Sequence, residues 1–176
     1  MADRALTGVL LVGGASTRFG SPKALAKLDG ETLAERAWRL LAEACDERIA
    51  VGKRGDGLEL PFDVLDDGTD VRAPIAGVVA GLRAAANDVA VVIPVDMPML
   101  TAGALEQLAD ACRDVAIPAS GPLPGAYRST ALPALELALA ENRLALRDAI
   151  VGLDIAVVEL EPGVLLNVNT PDDVRL

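Results

Sequence analysis

The sequence predicts an α/β fold, a three-layer α/β/α arrangement around a doubly wound, mostly parallel sheet. Three observations carry that expectation. Short apolar runs of strand length alternate with segments of helical period along the whole chain. The run Val89-Ala90-Val91-Val92-Ile93-Pro94-Val95 is apolar almost throughout, as a strand covered on both faces is. A glycine-bearing turn begins at Gly13, directly after the first apolar run, where such sheets hold their ligands outside the carboxyl ends of the strands. The 176 residues suffice for one sizeable core and are too few for two ordinary domains, so residues 1–176 are expected to form a single domain.

Taken in order, Leu10-Leu11-Val12 closes a buried first strand that runs into the glycine loop. Thr32 is placed to cap a helix to about Cys45, with Leu33, Ala37, Leu40, Leu41 and Ala44 on one face. A strand over about Arg48–Val51 follows, then a loop marked by Gly52, Gly55 and Gly57, and a short strand over Phe62–Leu65. Pro74 opens a small-residue helix to about Ala86, a first-turn position that suits proline. The apolar strand from Val89 ends at Asp96, and Thr101 caps a helix to about Arg113. Val115–Pro118 reads as a strand, 130–141 and 144–151 as helices, and 155–160 as the last strand. Leu165–Val168 and a final turn from Pro171 complete the chain. Gly121-Pro122-Leu123-Pro124-Gly125 is expected to be a surface loop, the alternative being that it and the following Tyr127 and Arg128 border the ligand site.

Composition narrows the function classes. Sixteen basic against 26 acidic residues give a net charge of −10, and the predicted pI is about 4.4. The average field therefore repels nucleic acid and acidic lipid. A small anionic substrate stays compatible where positive groups are concentrated. The acidic stretch Asp66-Asp67-Gly68-Thr69-Asp70 is by default a solvated loop. There is no histidine, which removes histidine general bases, His-ligated zinc and a Ser-His-Asp triad together. Cys45 and Cys112 are read as packing residues in a reducing compartment. No run approaches the ~20 apolar residues of a membrane span. The expectation is a soluble, cytoplasmic protein without membrane or nucleic-acid partners.

The first loop, Gly13-Gly14-Ala15-Ser16-Thr17-Arg18-Phe19-Gly20-Ser21-Pro22-Lys23, reads as a phosphate-holding loop, a tight turn being the plainer alternative. Glycine without a Cβ lets the backbone approach a ligand, and successive amides converge on an anion. Arg18 adds a planar fork of donors and Lys23 a compact charge. The spacing matches neither a Walker loop nor G-x-G-x-x-G. Asp96, held between prolines in Pro94-Val95-Asp96-Met97-Pro98, is either a helix-capping residue or a magnesium ligand. Magnesium takes one or two carboxylates and completes its shell with water and phosphate. A substrate phosphate is already anionic near neutrality. Its attack on the α-phosphorus of a nucleoside triphosphate needs no general base, only positioning and charge neutralisation by Lys23, Arg18 and magnesium on Asp96.

Leu11-Val12-Gly13-Gly14, Arg18, Gly20, Lys23, the helix start at Pro74–Gly77, Asp96-Met97-Pro98 and Asn167-Val168-Asn169-Thr170-Pro171-Asp172-Asp173 together resemble the molybdenum cofactor guanylyltransferase family. The likeness runs from about Thr7 to Val174. It implies a Rossmann-like nucleotidyltransferase fold. It also implies transfer of GMP from GTP to molybdenum-loaded molybdopterin, giving molybdopterin guanine dinucleotide and pyrophosphate with Mg2+. By the same resemblance Leu11, Val12, Gly13, Gly14 and Lys23 contact GTP, Asp67 lies in the guanosine half, Asp96 holds magnesium, and Asn167 and Asn169 face the pterin. On their own chemistry, residues 167–173 are an asparagine-rich turn before a terminal helix. Transient contact with cofactor-synthesis or acceptor proteins also follows from the resemblance.

The chain departs from the family pattern at Val12, at Ser21-Pro22, at Val51-Gly52-Lys53-Arg54 where an asparagine that touches the nucleotide is usual, and at Ala73 where glycine is usual. A cytidylyltransferase on the same fold and a non-catalytic nucleotide or cofactor carrier are the alternative functions. Gly13 followed by Gly14 leans toward guanine, because related cytidylyltransferases look more like Leu-Ala-Ala-Gly there.

Overall fold

The structure is a computed structural model in which residues 5–13, 21–170 and 173 are described. Strand β1 (Leu6–Leu11) lies inside a seven-stranded sheet. After the glycine loop the chain makes a two-stranded hairpin, β2 (Lys27–Leu28) and β3 (Glu31–Thr32), turned at Asp29 and Gly30 with positive φ at both. Asp-Gly is the pair that a two-residue hairpin turn favours, so the signal was local although the periodicity reading passed over it. Helix α1 (Leu33–Ala44) starts in a full capping box: the Thr32 hydroxyl accepts from Glu35 N at 3.1 Å, and Thr32 N donates to the Glu35 carboxylate at 3.0 Å.

Then follow β4 (Glu47–Gly52), β5 (Val64–Asp66), α2 (Pro74–Ala84) and β6 (Val89–Pro94). The second half is α3 (Ala102–Ala111), β7 (Val115–Pro118), β8 (Gly125–Arg128), α4 (Leu132–Ala140), α5 (Leu146–Ala149) and β9 (Ile155–Val158). The three late helical and strand segments expected at 130–141, 144–151 and 155–160 are thus each shorter. Residues 129–131 form a 3-10 turn, and Pro162–Leu165 forms another where the last strand has ended. The final turn expected from Pro171 lies outside the described residues.

The strand order is β5-β4-β1-β6-β8-β7-β9. All neighbouring pairs are parallel except those of β8, which runs antiparallel to both β6 and β7. This strand begins where the expected loop ends, at Gly125, and takes in the residues that follow it. Tyr127 is fully buried in it and its hydroxyl donates to the Pro122 carbonyl at 2.6 Å. A Cβ on Gly125 would stand 2.6 Å from that same carbonyl oxygen, so the strand can begin only at a glycine. Arg128 pairs with Asp88 at 2.5 Å.

The sheet is covered on both faces because its strands alternate between two cores. Val89, Val91 and Ile93 of β6 pack with Leu33 and Leu41 of α1 and Leu105 and Leu108 of α3. Ala90 and Val92 face Ile75, Val78 and Val79 of α2 and Leu135 of α4. Cys112 is buried and Cys45 half-buried; burial pushes the Cys45 thiol up to about 12, so it is a packing group at neutral pH.

Helix α2 lies close on the sheet because of its glycines. A Cβ on Gly81 would meet the Val9 methyls at 2.5 and 3.0 Å, and Val9 is fully buried and β-branched. Overpacking of that kind costs about 1–3 kcal/mol, against about 1 kcal/mol returned by helix propensity. Gly81→Ala is therefore expected to lower stability by up to about 2 kcal/mol in urea unfolding. Unchanged stability would show that α2 has room to lift.

Candidate functional site

From β1 the chain passes through α1 to β4 and then β5 on one side, and through α2 to β6 on the other. The strand order thus reverses between β1 and β6, and a crevice opens beyond their carboxyl ends. Four residues follow the ends of adjacent strands there in spatial order: Asp67 after β5, Lys53 after β4, Gly13 after β1 and Asp96 after β6. Three strand spacings separate the first from the last, about 14 Å. A cleft of ≈ 290 Å³ runs along this row. Leu11, Val12, Val51, Val71, Pro74 and Leu123 supply apolar wall, and Lys23, Lys53, Asp67, Arg72 and Asp96 supply charge.

At the β6 end, Lys23 stands on a short 3-10 turn, Lys23–Leu25, set by Pro22 just before it. Its ammonium lies 3.2 Å from Asp96 Oδ2 and 3.4 Å from Asn169 Oδ1. Asp96 is itself fixed from two sides. Val168 N donates to its backbone carbonyl at 2.8 Å, and Arg36 Nε of α1 donates to the Pro98 carbonyl two residues on, at 3.0 Å. Asp96 therefore caps no helix; its carboxylate is a quarter exposed and faces the cleft. Asp173 accepts from the backbone N–H groups of Asn169 and Thr170, both at 2.8 Å. Those two bonds, the one from Asn169 first, hold its carboxyl below the usual range. The C-terminal segment thus delivers Asn169 to Lys23, whereas Asn167 is exposed beside it.

At the β4–β5 end, the acidic stretch is solvated only in part: Gly68 and Asp70 are exposed, Asp67 is not. Lys53 Nζ lies 2.7 Å from Asp67 Oδ1 and also donates to the Thr69 carbonyl; the two side chains are only 13% and 6% exposed. Thr69 N donates back to Asp67 Oδ1 at 3.1 Å, and Asp67 N donates to the Gly52 carbonyl at 3.0 Å. Next to it Asp66 accepts from Arg54 N and Gly68 N, the former bond chiefly holding its carboxyl below the usual range. Between the ends, Val12 is buried and its N–H donates to the Val51 carbonyl at 3.0 Å. A Cβ on Gly52 would come within 3.0 Å of a Val12 methyl, so the larger residue in the first loop is matched by a glycine closing β4.

Of the residues singled out in the sequence, Leu11, Val12, Gly13, Lys23, Asp67 and Asp96 line this one cleft, and Asn169 reaches it through Lys23. Gly14 and Arg18 lie outside the described residues. Tyr127 and Arg128 do not border the cleft; Leu123 from the preceding turn does. Lys53 and the walls Val71 and Pro74 were not picked out as site residues. The signal for Lys53 was its place directly after an apolar strand. Among the described residues no group of three or more acidic, cysteine or histidine side chains could enclose a metal ion. No helix among them is long and apolar enough to cross a membrane.

The MobA-like NTP transferase domain family matches residues 8–153. A protein of Chloroflexus aggregans named "Probable molybdenum cofactor guanylyltransferase" is 33% identical over 97% of this chain and 92% of its own length. One of Opitutus terrae with the same name is 34% identical over 96% and 93%. The crystal structure of molybdopterin-guanine dinucleotide biosynthesis protein A from Archaeoglobus fulgidus superposes with a TM-score of 0.82, at 25% identity, over 96% of this chain and 95% of that one.

Proposed function

As the chain belongs to the MobA-like NTP transferase domain family, we propose that it transfers GMP from GTP to the terminal phosphate of molybdenum-loaded molybdopterin, forming the guanine dinucleotide cofactor and pyrophosphate. The observation that carries this reading is the Lys23–Asp96 pair at the point where the strand order reverses, in a cleft whose far end holds a second charged pair.

The cleft orients a nucleotide with its phosphates at Lys23 and its base toward Lys53 and Asp67. An oxygen of the acceptor phosphate attacks the α-phosphorus. The bond from that phosphorus to the α–β bridging oxygen breaks, and its electron pair leaves with pyrophosphate. The donor set at the phosphate end suits magnesium, since one part-exposed carboxylate is what that ion asks of a protein when phosphates and water supply the rest. Asp96 would hold it, and the ion would neutralise charge on the triphosphate and on the departing pyrophosphate. Lys23 brings its ammonium to the same charge. Gly13 keeps side-chain bulk away from the phosphates; a Cβ there would lie 3.6 Å from Gly52 Cα, so the position is open enough for ligand approach. Gly14 and Arg18 extend the same loop. Asn167 and Asn169, on the segment that crosses the Asp96 end, belong to the acceptor side.

The test is pyrophosphate release with each of the four nucleoside triphosphates and magnesium, with and without molybdenum-loaded molybdopterin. Release is expected with GTP and acceptor together, about tenfold or more above any other nucleotide. CTP-dependent release would reassign the nucleotide. Binding without release under any condition would make the protein a carrier.

A further inference from the structure

We propose that Lys53 selects the nucleobase by donating a hydrogen bond to the O6 oxygen of guanine. This rests on the GTP reading above and goes beyond it, since the resemblance assigns Asp67 to the guanosine half and an asparagine to the stretch 51–54, but gives a lysine there no part. An ammonium has three donors and no acceptor. Two of the three are committed, to Asp67 Oδ1 at 2.7 Å and to the Thr69 carbonyl. The third has no partner among the described residues, on a side chain that lines the cleft. Both committed partners lie in the loop after β5, so the ammonium is held in place instead of swinging on a flexible stem.

Asp67 is arranged to complement it. Lys53 and Thr69 N both bond Oδ1, while Oδ2 takes no hydrogen bond among the described residues. The pair thus offers a donor and an acceptor side by side. Guanine carries an acceptor at O6 next to the N1–H donor, whereas adenine in the same pose sets its N6 amino group against the ammonium, donor facing donor. Burial sharpens the contrast, because a desolvated ammonium left facing an amino group has no water to turn to. A purely structural role explains the arrangement less well. A nearly buried ion pair seldom stabilises a fold more than an apolar pair of similar size would.

The experiment measures binding of GTP, ITP, ATP and 2-aminopurine riboside triphosphate, with magnesium, to the wild-type chain, Lys53→Met and Lys53→Gln. GTP and ITP keep O6, and the other two lack it. The wild type is expected to hold the O6-bearing pair about tenfold to a hundredfold more tightly. Lys53→Met should narrow that gap by weakening GTP and ITP alone, leaving what Asp67 reads at N1–H, and Lys53→Gln, which keeps a neutral donor, should restore part of the loss. In turnover, the change should fall on KM for GTP, with kcat at saturation little altered.

Equal weakening of all four nucleotides by Lys53→Met would mean a structural role and overturn the proposal. So would a gap that survives undiminished in the variant, and in that case the GTP reading stands. A wild type that prefers GTP yet binds the 2-aminopurine nucleotide equally well overturns the role of Lys53 without any variant having to fold. CTP-dependent pyrophosphate release in the test of the GTP reading overturns both.

Discussion

Asp96→Asn is expected to reduce guanylyl transfer by about three orders of magnitude while the protein stays folded. The factor corresponds to roughly 4 kcal/mol of charge stabilisation at the phosphates, the scale on which a bound cation acts. The fold should hold because Asp96 is anchored through its main chain. Its carbonyl accepts from Val168 N, and the next turn is tied to Arg36, contacts the amide variant keeps. The lost ion pair with Lys23 joins two side chains that are 21% and 25% exposed, and pairs near the surface are worth only about 0–1 kcal/mol. The measurement is kcat for pyrophosphate release beside the melting temperature. Turnover near wild type would remove Asp96 from the phosphate site.

Lys23→Met has the second largest effect. Loss of a charge-assisted contact to the triphosphate should raise the GTP dissociation constant about tenfold to a hundredfold. It also leaves Asp96 facing the phosphates without the ammonium that now neutralises it. The two variants separate cleanly when divalent ions are removed with a chelator. Asp96→Asn then binds GTP more tightly than the wild type, because a repelling charge has gone, and Lys23→Met binds it more weakly. Binding that shifts in the same direction for both would mean that the two side chains do not meet the same phosphates. Asn169 keeps its place in each variant through the Asp173 bonds to its own backbone, so the C-terminal segment is not expected to detach.

Much of the architecture was legible because it depends on neighbours a few residues apart. Thr32 and Glu35 form the capping box that starts α1, and Thr101 accepts from Ala104 N at the start of α3. Pro74 stands at the head of α2. The unbroken apolar run from Val89 became the strand at the centre of both cores. Strand β8 escaped because it is four residues long and follows Gly121-Pro122-Leu123-Pro124-Gly125, a composition that reads as loop. Its existence rests on β6 and β7 bonding it from either side. Tyr127 is buried through that pairing.

By itself, then, the sequence determined the alternation of strand and helix, the glycine loop, the absence of histidine chemistry and the two charged residues, Lys23 and Asp96, at one end of the cleft. Each of these is written in residue type and short-range spacing. Only the tertiary structure decided what each charge meets. Lys23 and Asp96 are 73 residues apart, Lys23 and Asn169 are 146 apart, and Lys53 finds Asp67 across 14 residues that include a whole strand. The order β5-β4-β1-β6 is what sets their carboxyl ends in one row. That order follows from which apolar faces α1, α2 and α3 bury against the sheet, a balance spread over both cores and carried by no single motif.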